Sequence, residues 1–464
     1  MTRRPNIVIF NPDHYRADVL GHAGNPAAVT PNLDRMVAND GVSFGNAFCQ
    51  NPVCTPSRCS FMTGWYPHVH GHRTLHHMLQ SGEPVLMKTL KDNGYFVWWG
   101  GKNDMVAGQH GCEHICDIRY KPDPSKLASP GDSHRGEPGS DTYYSFFVGK
   151  RELPPGRDIY PDSDWANVLG AVDFIKHAPT DKPLCIVLTL NWPHPFYRCE
   201  EPFFSMIDRA RMPPRIPAPA DWSGKPSILR GLHKNYNMGG WTEDRWRELR
   251  AVAYAMSARV DHQFGLVMQA LRDAGMYDDT AVFFFSDHGE FLGDYGLVSV
   301  NQNTFEDSLT NVPLIVKPPT GVAVKPGVRD CLVELVDFPA TVHELAGIEP
   351  GYTHFGRSLL PVIAGKAAEI RDAVFCEGGR LENEPHCTER ESSADLEPTG
   401  HYWPRVSLQQ RQPEHTKAVM CRTRDFKYVR RLYESDELYD LRSDPQELHN
   451  RIGDPALARE LARL

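Results

Sequence analysis

Cys54, Pro56 and Arg58 stand at alternate positions in the run NPVCTPSRCSF (51–61). The pattern predicts a helix starting near Thr55, with Pro56 at its first position, where a missing N–H costs nothing. Cys54 then lies at the helix N-terminus and Arg58 one turn further in. Unpaired N–H groups and the helix dipole attract anions there. The Arg58 guanidinium is a planar, permanently charged fork that fits tetrahedral oxyanions. The stretch therefore reads as an anion site with a sulfur nucleophile, or a group derived from it, at its edge. Alone, the same spacing also describes a buried cysteine beside a surface arginine.

Asp13, Asp287 and His288 form a second set, each soon after a short apolar run. Hard carboxylate oxygens with one imidazole suit a divalent cation such as Ca2+, Mg2+ or Mn2+. Any one of them passes for a turn cap or a polar loop. Two separate strand-end positions favour a metal.

These groups need elements that gather them. Residues 6–10 (NIVIF), 95–99 (YFVWW), 183–190 (PLCIVLTL), 280–285 (TAVFFF) and 312–317 (VPLIVK) read as buried strands. Between them lie helical patterns. One has Thr30 as N-cap, Pro31 at N1 and Gly41 as its stop, with Leu33, Met36 and Val37 as its apolar stripe. Another ends on Gly94. A third places Trp165, Val168, Leu169, Val172 and Ile175 on one face, and a long one runs from about Thr242 to Ala274. The alternation predicts an α/β fold whose large, mostly parallel sheet is sandwiched by helices. Ligands of such sheets bind beyond the carboxyl ends of the strands. The segments there are NPDHYR, GGKND, NWPHPFY and SDHGE, the polar ones the chemistry requires. From about residue 370 the pattern changes to short antiparallel strands and a terminal helix. We therefore expect a catalytic domain over 1–370 and a small antiparallel α+β domain over 371–464. Residues 381–416, polar and Pro-rich, read as a surface excursion near the active-site mouth.

Composition sets bounds on function. The 464 residues are 41% hydrophobic with a net charge of −9, which gives no footprint for nucleic acid or an acidic membrane surface. No run reaches a membrane-spanning length. Residues 7–10 are too short a core for a secretory signal, so a cytoplasmic location is expected. The eleven cysteines, irregularly spaced, are expected as reduced thiols. Cys112 to Cys116 has the spacing of a metal clip, but without a second pair it reads as a plain loop.

CTPSR (54–58) followed by MTG (62–64) resembles the signature of the type I sulfatases of the alkaline phosphatase superfamily. The resemblance extends, in family order, through DHYRADVLG (13–21), TPNLD (30–34), YPHVHG (66–71), Gly101-Lys102, Pro193-His194, SDHGE (286–290) and LYDL (438–441) with Asp444-Pro445. It implies an alkaline-phosphatase-like fold and metal-dependent hydrolysis of sulfate esters. It implies that Cys54 is oxidised by a formylglycine-generating maturase, which reads Pro56 and Arg58. The hydrated aldehyde then attacks sulfur, and collapse of the hemiacetal releases sulfate. By position Asp13, Asp287 and His288 match family metal ligands, with residue 54 completing the shell. Lys102 and His194 match residues that hold sulfate oxygens or protonate the leaving oxygen, and Arg58 holds the formylglycine. His72 is a candidate for assisting hemiacetal collapse, or a loop histidine among several. A homo-oligomer is expected by family analogy.

Two positions depart from the family pattern. Where many members carry a second acid after the first aspartate, this chain has His14, which either ligates or turns away. Ca2+ or Mn2+ is expected, with Mg2+ or Zn2+ as alternatives; the lost carboxylate weakens the case for Ca2+. Phosphonate monoester hydrolases of the superfamily also lack that acid, which makes phosphonate monoester or phosphodiester hydrolysis the alternative activity. The context Arg16-Ala17-Asp18 is similar to theirs, while Lys102 fits the sulfatases better. After the Asp-His-Gly segment, Val300 occupies the place of a lysine that contacts sulfate in related sulfatases. Either another group, such as His14, supplies that charge, or turnover is reduced, or the substrate differs. A catalytically silent metal- and anion-binding homologue is the second alternative.

Overall fold

A computed structural model of the chain describes residues 4–108, 111–128, 135–301, 303–381, 384, 396–410 and 414–464. In chain order its strands begin with β1 (Asn6–Asp13), β2 (Val42–Phe48), β3 (Phe96–Gly101), β4 (Ile118–Tyr120), β5 (Phe147–Lys150), β6 (Leu184–Pro193), β7 (Tyr197–Cys199) and β8 (Thr280–Phe285). They continue with β9 (Asn311–Val312), β10 (Leu314–Lys317), β11 (Gly327–Glu334), β12 (Val374–Gly378), β13 (Ala418–Arg422), β14 (Phe426–Arg431) and β15 (Glu437–Asp440).

The run NIVIF is apolar without a break because both faces of β1 are covered. Ile7 and Ile9 enter one core, Val8 and Phe10 the other, as strand alternation requires. The large sheet has the order β11-β2-β10-β8-β1-β6-β3-β4, with β9 beside β2. Central β1 is parallel to β6 and β8, β3 is parallel to β6 and β4, and β11 is parallel to β2. β9 and β10 run against their neighbours. One face is covered by the helices Pro31–Asn39, Ser163–Lys176 and Glu243–Asp273, the other by Cys54–Thr63, Leu86–Asp92 and Asp337–Ala346. This is the expected α/β sandwich.

The long helix begins on a Thr242 side-chain cap to the Arg245 N–H and ends at Asp273. Its middle, Ala251 to Val260, is buried on every side because it lies across the centre of the sheet. In the helix Ser163–Lys176 the expected stripe is wrong at one position. Leu169 is exposed, while Asp164 and Asn167 are buried. The polar pair turns inward because Asp164 has backbone N–H groups to satisfy, as described below. β1 and β6 run past their apolar cores into the polar segments, since each supplies the other's hydrogen-bond partners as far as the rung Asp13–Pro193.

β12 to β15 form a separate antiparallel sheet, followed by the helix Ala458–Arg463. It joins the main sheet through a small core of Phe48, Leu332, Val374, Cys376, Met420 and Val429. Much of 381–416 lies outside the described residues; the part 396–410 contains the helix Trp403–Val406. Cys112 and Cys116 sit in a turn, with Cys116 Sγ donating to the Cys112 carbonyl at 3.3 Å. Among the described residues the cysteines are free thiols and no helix is long and apolar enough to cross a membrane.

Candidate active site

Register brings the polar segments together. Phe10 pairs with Phe284, so Asp13 and Asp287 each lie three residues beyond the same rung. Asp13 is level with Pro193, one residue before His194, and Gly101 is level with Thr189, one residue before Lys102. Strand alternation would send consecutive residues 13 and 14 to opposite sides. His14 instead takes a left-handed conformation, φ 64°, uncommon for a non-glycine residue. The break lets both side chains face one point. Glycine is required at two neighbouring turns. A Cβ at Gly101 would lie 1.9 Å from the Thr189 carbonyl oxygen, and one at Gly289 would lie 2.1 Å from that of Ser308.

Cys54 stands at that point. The helix begins on Cys54 itself, after Val53 as N-cap, so Pro56 falls at the third position rather than the first. Proline is accepted there because the first-turn N–H groups have no helical partner. The thiol donates to Asp13 Oδ1 at 3.4 Å, receives from Lys102 Nζ at 3.4 Å, and lies 3.3 Å from His288 Nε2. Burial, then Asp13, push its pKa well above the ordinary thiol range. Arg58 is fully buried and donates to Asp287 through Nε at 2.8 Å, with its NH2 group 3.4 Å from Asp13. Lys102 binds both Asp13 and Asp104, the latter at 2.9 Å. Burial opposes the charge on Lys102, but Asp13, Cys54 and Asp104 outweigh it and raise its pKa well above normal. Asp13 is likewise raised by burial, yet Lys102 and Arg58 bring it well below the carboxylate range.

Three imidazoles complete the wall. His288 donates from Nδ1 to the Gly289 carbonyl at 2.9 Å, which leaves Nε2 facing Asp13 at 3.5 Å. His14 Nδ1 meets Glu290 at 2.6 Å, and its ring centre lies 4.3 Å from those of His194 and His288. His194 donates from Nδ1 to the Pro195 carbonyl at 2.5 Å. Burial, with His14 and Lys102, lowers its pKa to about 3, so it rests as the neutral ring. One donor atom each from Asp13, His14, Cys54 and His288 lie within 4.8 Å of one another. Asp287 adjoins this group but is engaged by Arg58.

His72 is not brought to this point. Its Nδ1 meets the His77 carbonyl at 2.8 Å and its Nε2 faces Glu83 at 3.0 Å. Val300 is buried in the apolar core. The cavity over Cys54, about 210 Å3, is walled by His14, Lys102, His194, Asp104, Tyr402 and Arg405 among others. Tyr402 and Arg405 come from the excursion expected at the mouth. A second cavity of about 350 Å3 shares His194 and is lined by Tyr160, Trp192 and Phe196. Tyr197 and Trp241 are core residues, and Trp65 stacks on His70.

Several positioning residues gave no sign of that role in the sequence. Asp164 accepts the backbone N–H groups of Asn191 and Trp192 at 2.8–3.1 Å and so fixes the strand end before His194. Arg16 donates to the carbonyls of Glu290 and Phe291 and to Asp294, bracing the loop that carries Glu290. Glu290 was part of a quoted motif; its hold on His14 follows only from the fold.

The sulfatase family matches residues 5–348 of the chain. The multifunctional alkaline phosphatase superfamily protein PehA of Trinickia caryophylli is 26% identical, over 99% of this chain and 93% of that protein. Arylsulfatase K of Danio rerio is 28% identical, over 78% of this chain and 68% of its own length. Among solved structures, the phosphonate monoester hydrolase of Agrobacterium radiobacter superposes with a TM-score of 0.77 at 21% identity, over 99% of this chain and 94% of that one. With its strand-end site and a match over most of its length, the chain belongs to the sulfatase family of the alkaline phosphatase superfamily, and is a sulfuric ester hydrolase.

Proposed function

We propose that the chain cleaves sulfate esters with a formylglycine made from Cys54 and a divalent cation beside it. The observation that carries this reading is the place of Cys54: it opens the helix of the CTPSR run where the strand ends converge, 3.4 Å from Asp13 Oδ1 and Lys102 Nζ and 3.3 Å from His288 Nε2. Formylglycine at this position supplies an oxygen nucleophile. A formylglycine-generating maturase is the partner this requires.

The donor set fits a metal. Asp13 offers a carboxylate, and His14 and His288 offer Nε2 atoms whose rings are held through Nδ1 by Glu290 and a backbone carbonyl. Such outer partners orient metal-ligating imidazoles. Asp13, His14, His288 and residue 54 would hold the ion, with Asp287 beside them. Two imidazoles and few carboxylates favour Mn2+ or Zn2+ over Ca2+. The ion supplies positive charge where the ester's oxygens gain negative charge.

The chain's own residues do the rest. Arg58 offsets the charges of Asp13 and Asp287 and keeps them in place. Lys102, permanently protonated, sets a cation beside the leaving oxygen. His194 rests neutral because of burial and two nearby positive or ionisable groups. An anionic ester beside it lowers the cost of protonation, so substrate binding favours proton uptake at His194 and its later donation to the leaving group. His194 lines both cavities, which supports a reading with the organic group in the cavity of Tyr160, Trp192 and Phe196.

The test is the mass of the peptide containing residue 54 from natively produced protein, with turnover before and after chelation. We expect the aldehyde, loss of aryl sulfate hydrolysis on chelation, and recovery with Mn2+. A retained thiol at full activity overturns the reading. Hydrolysis of phosphonate monoesters on the same site is the second reading, favoured by the full-length likeness to the multifunctional relative. Relative kcat/KM across aryl sulfates, alkyl sulfates and phosphonate monoesters decides between them. Absence of turnover with converted residue 54 and bound metal points to the silent homologue.

A further inference from the structure

We propose that Arg405 grips the non-bridging oxygens of the substrate's anionic ester group. The inference rests on the reading of the site as an ester hydrolase given above.

An anion entering the cavity over Cys54 meets Lys102, which pairs with Asp13 and Asp104. Val300 is in the apolar core and contributes nothing to the wall. Arg405 lines the same cavity from a distant part of the chain, on the helix Trp403–Val406. Its residue is 5% exposed, so its charge acts in a poorly screened setting.

Arg405 is also pre-positioned. Its guanidinium lies 4.6 Å from the Tyr402 ring centre, and Tyr402 is itself part of the wall. The Asn235 side chain, on the helix Ser227–Tyr236, donates to the Pro404 carbonyl and the Ser407 hydroxyl, both at 3.0 Å. A side chain on a pinned element loses little further freedom when it binds. A planar fork suits two oxygens of a tetrahedral group better than a lysine ammonium does. Arg405 would then set affinity for the anionic group, while the strand-end residues act on the bond that breaks.

The test uses inorganic sulfate as the probe, titrated calorimetrically into the metal-loaded wild-type chain and into Arg405→Gln and Arg405→Lys. We expect the Gln variant to bind sulfate roughly ten- to a hundredfold more weakly, with a parallel rise in KM for an aryl sulfate. The Lys variant, which keeps the charge and loses the fork, should be intermediate. If the Gln variant does not fold, the Lys variant decides: several-fold weaker sulfate binding is the expected result. Sulfate affinity within about twofold of wild type in a folded variant overturns the proposal. So does a loss confined to kcat. Wild-type protein that binds sulfate through Arg405 but turns over no ester overturns the activity reading and leaves this one standing. Normal turnover with unaltered sulfate affinity and KM in Arg405→Gln does the reverse.

Discussion

Arg58 has no exposed surface and stands between two buried carboxylates, Asp287 at 2.8 Å and Asp13 at 3.4 Å. Burial works against its charge, and the two acids raise its pKa above normal all the same. Removing it takes from Asp287 its buried cation and leaves Asp13 with Lys102 alone. Breaking a buried pair this way costs about 3–5 kcal/mol, so Arg58→Ala should unfold at markedly lower urea concentration than wild type. A bound cation would recover part of that loss, which repeating the titration with Mn2+ would reveal. Lys102 is different, because it faces the cavity as well as Asp13. Lys102→Met should lower kcat roughly 10²–10³-fold, the range for losing a preorganised oxyanion donor, with a smaller change in KM. A large rise in KM at constant kcat would make it a binding residue only. The strand-end groups among these residues were legible in the sequence because their chemistry is local: carboxylates, imidazoles and a cysteine directly follow β-favouring runs. The hold of Glu290 on His14 was not, because it depends on a left-handed turn that no composition announces. His72 shows the converse. Its neighbours in HVHGHRTLHH are as rich in imidazole as any site, and only the folded loop shows that its ring is spent on Glu83 and a carbonyl.

At the scale of elements, Lys102 and His194 are each one residue past the end of a strand, and the strand end must be held. β6 shows how. Asp164, in the first turn of the helix Ser163–Lys176, reaches down to the N–H groups of Asn191 and Trp192. Burial, then Asp162, raise its pKa to about 6, so the carboxyl is retained at a cost that its bonds offset. Asp164→Asn keeps the size and one acceptor oxygen but leaves a backbone N–H short of a partner. A buried donor left unmet costs about 1–3 kcal/mol. The expected result is a lower melting temperature together with a fall in kcat, since His194 follows two residues after Trp192. A stability loss with kcat intact would separate the helix turn from the chemistry. The alternating pattern of strands and helices was readable from periodicity, and the long helix matched to within a residue at each end. The inward turn of Asp164 and Asn167 was not, because a helical wheel assigns the buried face to apolar residues and left Leu169 on the wrong side. Polar burial of this kind is set by what lies opposite, here the open N–H groups of β6, and becomes visible only when the sheet is assembled.

At the scale of the whole molecule, the small sheet must dock so that the excursion between β12 and β13 reaches the cavity. Glu377 of β12 is one of the ties. Its backbone N–H donates to the Gln50 carbonyl, and its carbonyl accepts from Asn51, a few residues before Cys54. Its carboxylate accepts from the His68 backbone N–H at 2.7 Å and pairs with Lys417 at 2.5 Å. Burial alone would raise its pKa; His68 and Lys417 prevail and lower it to about 2. A depressed carboxylate stabilises the fold fully above its unfolded pKa of about 4.3, and that contribution is lost as pH falls towards the folded value. The shift corresponds to about 3 kcal/mol. The melting temperature of the wild-type chain should therefore fall between about pH 4.5 and pH 2, with Glu377→Gln less stable at neutral pH and flatter across that range. If both proteins lose stability in parallel, other carboxylates carry the acid response. Because this tie lies between the small sheet and the segment leading into Cys54, the Gln variant should also weaken binding of inorganic sulfate at neutral pH. The protection of amides in 403–406 from hydrogen exchange should fall with it, since that helix hangs from the same sheet. A variant that loses stability but keeps both sulfate affinity and that protection would show that the small sheet supports the fold without shaping the cavity.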